Sequence, residues 1–505
     1  MNHHHPPYLM SCTRGCERAI IDSQKLTFIN FIRCIPCHLA RSDFELSFIV
    51  ESQKKIPVVD QADIVVVGGG SAGVPAAIAA GRNGADVLII ERGNCLGGTI
   101  TGGLMTRMDT SYAYWGKIPH EKRVARGLYL EILTRCRELG GLIEEYRLKE
   151  YLGGMLSGVE VCDPQILKFV LQEMTHEANV RLLYHTMAVD TIVEEHEVQT
   201  VIIENKSGRQ AIKGQIFVDA TGDGDIATQA GALYEKGRSK DGLLQPVTTT
   251  FRVGGVDLEK VFQVYGKKQH IMRDRITVTD RPFQNEVNAA KKDGVYDFPA
   301  GRFWFHLTPI KDQVYVNTVR VHGIDATCTK DITQAEVEGL RQVMQLMNFM
   351  RRYMKGFKQA YLVDIGSYIG VRESRRIIGE YMLTKEDVLH ATKFPDAIAA
   401  CSIRIDIHNP TGVGGLFLAP PDGDYYQIPY RCVLAKYLTN VLITGRCISA
   451  THGAHGSVRQ VPAAVPIAQA AGTAAAMAIK ANTELRKIDV TSLQTRLLNQ
   501  GAFIG

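Results

Sequence analysis

Residues 62–99 read ADIVVVGGGSAGVPAAIAAGRNGADVLIIERGNCLGGT, and the rest of the chain is organised around them. Ile64 to Val67 is an unbroken apolar, β-branched run, the signature of a strand buried on both faces. Gly68, Gly70 and Gly73 follow at G-x-G-x-x-G spacing with Ser71 and Ala72 between them, and an Ala-rich helix opens with Pro75 in its first turn. A second apolar strand, Asp86 to Ile90, ends on Glu91. Each residue type has a physical task. Gly68 permits the tight strand-to-helix turn, Gly70 lets backbone approach a pyrophosphate, and Gly73 lets helix and strand pack closely. The helix N-terminus offers unpaired N–H groups and a partial positive charge to phosphates. Glu91, about 20 residues on, is placed to accept hydrogen bonds from an adenosine ribose. With the strand before, the helix after and the acid at the second strand end, the motif reads as a dinucleotide-binding βαβ unit.

The residues after Glu91 select the dinucleotide. Arg92-Gly93-Asn94-Cys95-Leu96-Gly97-Gly98-Thr99 resembles the E-R-x-x-x-L-G-G-x-x-T pattern of FAD-dependent oxidoreductases. Ile216 to Asp225, with Ala220-Thr221-Gly222-Asp223, looks like the second motif of two-dinucleotide-domain flavoproteins. Asn440 to Arg446 and the Ala/Gly helix around Gln469 to Ala475 resemble their third segment. Residues 62–482 as a whole resemble the FAD-dependent oxidoreductases related to the flavoprotein subunits of fumarate reductase and succinate dehydrogenase. The stretches that carry this are Leu244 to Thr248, Gly370 to Arg376, Ile428 to Arg431, and Gly445 to His452 continuing into Gly456 to Arg459. The resemblance implies an α/β fold. A Rossmann-like FAD-binding domain of glutathione-reductase type, three-layer ββα, would carry an inserted α+β substrate domain. It places cofactor contacts at Gly68, Gly70, Ser71, Ala72, Gly73, Glu91 and Arg92, then at Gly97, Gly98, Thr99 and Val189. Further contacts fall at Ala220, Thr221, Gly222, Asp225, Gly445, Arg446, Gly472 and Thr473. Members that bind FAD covalently place a histidine shortly after the glycine pair. Thr99 to Gly103 has none, so the FAD is expected to be non-covalent.

At 505 residues the chain exceeds one core and suggests two closely joined domains. The expected segmentation is an extension over 1–56, an FAD domain over 57–235 and 436–482, an inserted substrate domain over 236–435, and a closing helix within 483–505. A formal net charge of +5 with no basic run argues against a nucleic-acid partner. No stretch is continuously apolar for the 18 or more residues that a bilayer span needs. Eleven scattered cysteines, several in strand-like runs (Cys401, Cys432, Cys447), fit reduced thiols in a cytoplasmic protein better than a disulfide framework. In the extension, Cys12, Cys16, Cys34, Cys37 and His38 have spacings that could in principle ligate zinc or an iron–sulfur cluster, but Pro36 sits between the second pair and turn glycines are lacking there, so no metal is expected and residues 1–56 read as an extension, a targeting segment or upstream sequence. Further on, Asp163 and Pro164 read as the N-cap and first position of a helix over Gln165 to Ala178. Arg126 to Glu145 has helical apolar spacing, and Thr333 to Met354 reads as a long helix with Glu336 in a capping box.

A flavin performs the redox step, so the protein must orient substrate and move a proton. Arg459, between the third FAD strand and the last FAD helix, could clamp a substrate carboxylate. His452 and His455 on the same loop suit proton transfer, and Arg372 is a weaker substrate ligand in a charged cluster. The expectation is an oxidoreductase that transfers a hydride between flavin N5 and a small polar, carboxylate-bearing substrate. Two alternatives stand beside it: an electron-transfer flavoprotein subunit with a redox partner protein, and a flavin-binding protein without turnover.

Overall fold

The strand Val58–Val67 is the axis of a seven-stranded sheet. A computed structural model of the chain describes residues 49–110, 123–143, 159–265, 283–301, 303–421 and 423–505. Contacts divide the chain between Lys54 and Lys55, and every described helix and strand belongs to Lys55–Gly505. The cysteines of the extension and His38 lie outside the described residues.

Val58–Val67 pairs in parallel with Val87–Ile90 on one side and Gly208–Asp219 on the other. Arg181–Leu183 adds a parallel strand beyond Val87–Ile90, and Val441–Ile443 joins the last residues of Gly208–Asp219. The first half of Gly208–Asp219 pairs antiparallel with Glu197–Asn205, which carries Met187–Glu194 beyond it. Alternation splits the apolar run between two cores, as a strand covered on both faces requires. Ile64 and Val66 pack with the helices Gly73–Arg82 and Val461–Ala481, while Val65 and Val67 pack with Val198, Val201 and Ile203 of the antiparallel strand. The result is the three-layer ββα arrangement.

The two helices approach closely. A Cβ on Gly472 would stand 1.9 Å from the Ala76 carbonyl oxygen. Val461–Ala481 is long and apolar enough to cross a membrane, yet 89% of its apolar window is buried in the protein. It is a core helix.

A second sheet, ordered Phe305–Leu307, Val314–Val316, Phe251–Gly254 and Tyr361–Ile365, is antiparallel throughout. With the helix Thr329–Tyr353 it encloses a separate core drawn from residues 247–369, including Phe251, Phe303, Phe349 and Phe357. That core is narrower than the segment 236–435, because Ile377, Leu383, Ile405 and Tyr426 pack on the nucleotide side. The helix starts at Thr329, upstream of the expected Thr333. Glu336 therefore lies inside the helix and caps nothing; its carboxylate accepts the Ile369 N–H at 2.6 Å. Asp163 does cap its helix, Pro164–Glu177, accepting from the N–H groups of Gln165 and Ile166 at 2.9 and 3.1 Å. The helix expected over Arg126 to Glu145 is shorter, Leu128–Glu138, and stops where Gly140 adopts a positive φ of 72°. The closing helix is Val490–Asn499.

Candidate active site

The parallel strands end together at Leu183, Ile90, Val67, Asp219 and Ile443, and a cavity of about 590 Å³ opens along this edge. Open α/β sheets bind ligands at this edge, where the chain leaves the strands. Each turn supplies part of the lining: Gly68, Gly70, Ser71 and Ala72 from the first, then Glu91 and Arg92. Thr186 to Ala188, Ala220 to Asp223, Asp225, Gly445 and Arg446 add to it.

The three motif glycines divide their tasks. Gly68 has a φ of +99°, and a Cβ there would meet the Ala220 carbonyl oxygen at 2.5 Å. At Gly73 a Cβ would stand 1.7 Å from the Gly68 carbonyl oxygen, so this glycine serves helix–strand packing and does not line the cavity. A Cβ on Gly70 would have nothing within 4 Å; it would project into empty space. That open cradle, set at the start of the helix Gly73–Arg82, fits a pyrophosphate held on backbone N–H groups. Gly97 ties the second loop to the first, its N–H donating to the Gly69 carbonyl at 2.8 Å, and Gly98 and Thr99 line the cavity. Glu91 brackets both loops, accepting the N–H groups of Gly69 at 2.7 Å and Gly93 at 2.6 Å.

Beyond Asp219 the charges interlock. Arg446 pairs with Asp223 at 2.7 Å, and the Ser374 hydroxyl donates to the same carboxylate at 2.5 Å. Burial disfavours the Asp223 anion, but Arg446 and Ser374 outweigh it and hold its pKa below the usual range. Asp225 goes the other way: burial, then the charges of Asp223 and Asp219, push it up to about 6 against the pull of Arg375. The cavity therefore holds two neighbouring carboxylates whose proton affinities are pushed in opposite directions, Asp223 down and Asp225 up, with Arg375 paired to the latter.

Some expected residues lie elsewhere. Gly472 sits at the helix crossing, and Thr473 turns its hydroxyl to the Gln469 carbonyl at 2.8 Å; both are packing residues. The part of that helix lining the cavity is its N-terminal end, Val461 and Ala464 with Gln460 before it. Ala188 lines the cavity, whereas the Val189 carbonyl accepts from the Gln229 side chain. His455 is fully buried, with Nε2 at 2.7 Å from the Arg446 carbonyl, and burial lowers its pKa to about 3. His452 pairs with Glu373 at 2.8 Å. Neither histidine lines the cavity, because the short helix His452–Val458 turns their rings into the protein.

Arg459 and Arg372 do reach the cavity. The Arg459 guanidinium donates to the Asp406 carbonyl at 3.0 Å, and Arg372 is buried and donates to the Pro246 carbonyl at 2.6 Å. Two residues that the sequence reading missed stand with them. In the strand Ile405–His408 the buried Ile405 and Ile407 alternate with Asp406 and His408, which line the cavity with the His408 ring nitrogen 3.4 Å from the Asp406 carboxylate. The alternation Ile-Asp-Ile-His before the turn residues Asn409-Pro410 was the signal that could have found them. Gly456 brings the helix against this strand, since a Cβ there would meet the Asp406 nitrogen at 3.2 Å. Met105, Tyr315, Asn317 and Tyr368 add to the wall, with the Tyr368 hydroxyl donating to the Gly98 carbonyl at 2.6 Å.

A family model described as "FAD dependent oxidoreductase" matches residues 63–497. A 3-oxo-5-alpha-steroid 4-dehydrogenase from Comamonas testosteroni is 32% identical over 104 residues, 20% of this chain and 18% of that protein. Among solved structures, a p-nitrophenol 4-monooxygenase from Pseudomonas putida DLL-E4 is 12% identical with a TM-score of 0.45, covering 88% of this chain and 87% of that one. A geranylgeranyl bacteriochlorophyll reductase-like protein from Thermoplasma acidophilum is 11% identical with a TM-score of 0.43, covering 88% and 84%. Similarity of that degree says nothing about what this chain acts on.

Proposed function

The chain belongs to the FAD-dependent oxidoreductase family, and on that premise we propose that it moves a hydride equivalent to or from a small carboxylate-bearing substrate held beside Arg372 and Arg459. The observation that carries this reading is the continuity of one cavity from the open cradle at Gly70 to the guanidinium of Arg459. FAD, when bound, supplies the two-electron acceptor or donor. Gly70, Ser71, Glu91, Arg92, Gly98, Thr99 and the Asp223–Arg446 pair would hold it. Its attachment is non-covalent in this reading, since Thr99 to Gly103 offers no histidine.

The remaining steps belong to side chains. Arg459, fixed by the Asp406 carbonyl, and the buried Arg372 orient a carboxylate by charge-assisted hydrogen bonds. Oxidation at carbon releases a proton from the neighbouring group, and His408, whose ring nitrogen stands 3.4 Å from the Asp406 carboxylate, is placed to take it. In the reducing direction the same pair returns the proton. Within the family, the nearest kinship we propose is with the fumarate reductase and succinate dehydrogenase flavoproteins, on the motif ending at Arg459.

Arg459→Met tests the assignment. The variant should keep its flavin absorption and lose anaerobic, substrate-dependent bleaching across a panel of carboxylic acids. Bleaching at the wild-type rate would remove Arg459 from the active site, and loss of the flavin itself would make it a structural residue.

A further inference from the structure

The helix Thr329–Tyr353 buries Ala335, Val343, Leu346 and Met350 in the core of the second sheet and turns a different row outward. Val337 is 67% exposed, Leu340 49% and Met344 59%. At spacings of three and four they form one apolar strip along the solvent face. None of the three lines the cavity, so the proposed reaction makes no use of them.

Cations surround the strip. Residues 339–363 include Arg341, Arg351, Arg352, Lys355 and Lys358, all exposed, and no carboxylate. Arg341 pairs with Glu338 at 2.9 Å, Arg351 Nε donates to the Ala360 carbonyl at 2.6 Å, and Arg352 lies over the Tyr353 ring. The last two contacts neutralise no charge. The helix Gln284–Lys292 brings Lys291 and Lys292 to the same end, where Asp293 accepts from the Tyr353 hydroxyl at 2.7 Å.

Charge decides what such a face can meet. A second copy docked antiparallel about the middle of the strip would set Arg351 against the other copy's Lys330, and a parallel docking would set Arg351 against itself. Both arrangements repel. An anionic bilayer fits instead: apolar side chains enter the acyl boundary while long-stemmed cations stay among the headgroups. Lysine, depleted in protein interfaces, is attracted to such a leaflet.

We propose that this face docks the protein peripherally on an anionic lipid surface. Leu340 and Met344 insert, and Arg351, Arg352 and Lys358 lie among the headgroups.

Flotation of the FAD-loaded protein with vesicles of phosphatidylcholine alone, or of phosphatidylcholine and phosphatidylserine in equal parts, tests this. The mixed vesicles should bind about tenfold or more tightly than the neutral ones. Each basic side chain near an anionic leaflet is worth about fivefold, so Arg352→Gln combined with Lys358→Gln should weaken that binding about 25-fold. Leu340→Ser combined with Met344→Ser should weaken it about tenfold or more through the lost insertion. Both double variants should keep the wild-type flavin absorption, because these side chains lie outside the cavity. Equal binding to the two vesicles, binding to neither, or double variants that bind as wild type overturns the proposal. So does binding that the cation variant loses and the apolar variant keeps, which is the behaviour of a site for an acidic protein. A dimer in sedimentation that Met344→Ser dissolves would give the face to a second copy and overturn it as well.

Discussion

Alanine placed separately at Gly70 and at Gly73 should produce opposite defects from two positions three residues apart. At Gly73 the new methyl would stand 1.7 Å from the Gly68 carbonyl oxygen, and Cβ atoms essentially never approach within 3.0 Å. Strand and helix would have to part, at the upper end of or beyond the usual overpacking cost, about 3 kcal/mol or more. At Gly70 the methyl meets nothing within 4 Å. The backbone there is not in the left-handed region, so alanine should leave the apoprotein unchanged or stabilise it by about 0.4–1 kcal/mol through the unfolded chain. Its penalty should fall on the cofactor. Losing one N–H contact to a charged phosphate costs about 1.5–3 kcal/mol, which is about 10- to 150-fold in affinity. Urea unfolding of the apoproteins measures the first quantity, and quenching of flavin fluorescence on titration measures the second. Gly70→Ala that binds FAD as tightly as wild type, or that unfolds as readily as Gly73→Ala, would refute the assignment of the cradle.

Gly472→Ala should destabilise the fold by about 3 kcal/mol or more, because its methyl would meet the Ala76 carbonyl oxygen at 1.9 Å; folded protein with normal stability and weak FAD binding would return Gly472 to the cofactor site. His455 has a pKa of about 3 against 6.5 in the unfolded chain, so below pH 6.5 the unfolded state takes up a proton that the folded state refuses. Stability from this group falls as pH drops from about 6.5 towards 3, by up to about 1.4 kcal/mol per unit. His455→Asn should flatten the pH dependence of urea unfolding by that slope, and an unaltered slope would contradict the buried neutral imidazole. Acid precipitation should leave all flavin in the supernatant; colour held in the pellet would mean a covalent link.

The nucleotide half was legible because its signals are local. A β-branched run, three glycines and an acid within 30 residues of one another dictate strand, turn, helix and strand through steric demands that do not depend on what else the chain does. Asp163 and Pro164 announced their helix in the same way. Where a local cue had two meanings the sequence reading failed. Gly472 could serve a cofactor or a helix crossing, and only the position of Ala76 decides for the crossing. His452 and His455 stood in the right segment, but the helix His452–Val458 faces them inward, onto Glu373 and the Arg446 carbonyl.

The substrate end was legible only in part: Arg372 and Arg459 stood out in their local motifs, but not the groups they meet. Arg372, the strand that carries Asp406 and His408, and Arg459 come from separate stretches of the chain, and nothing in any one of them names the others. The sequence alone determined that a dinucleotide fold forms, that FAD is its cofactor, and that Arg459 comes after the last nucleotide strand. The tertiary structure decided which charges meet, because a cavity wall is made of long-range packing: a glycine that lets one helix settle on one strand sets Arg459 beside Asp406.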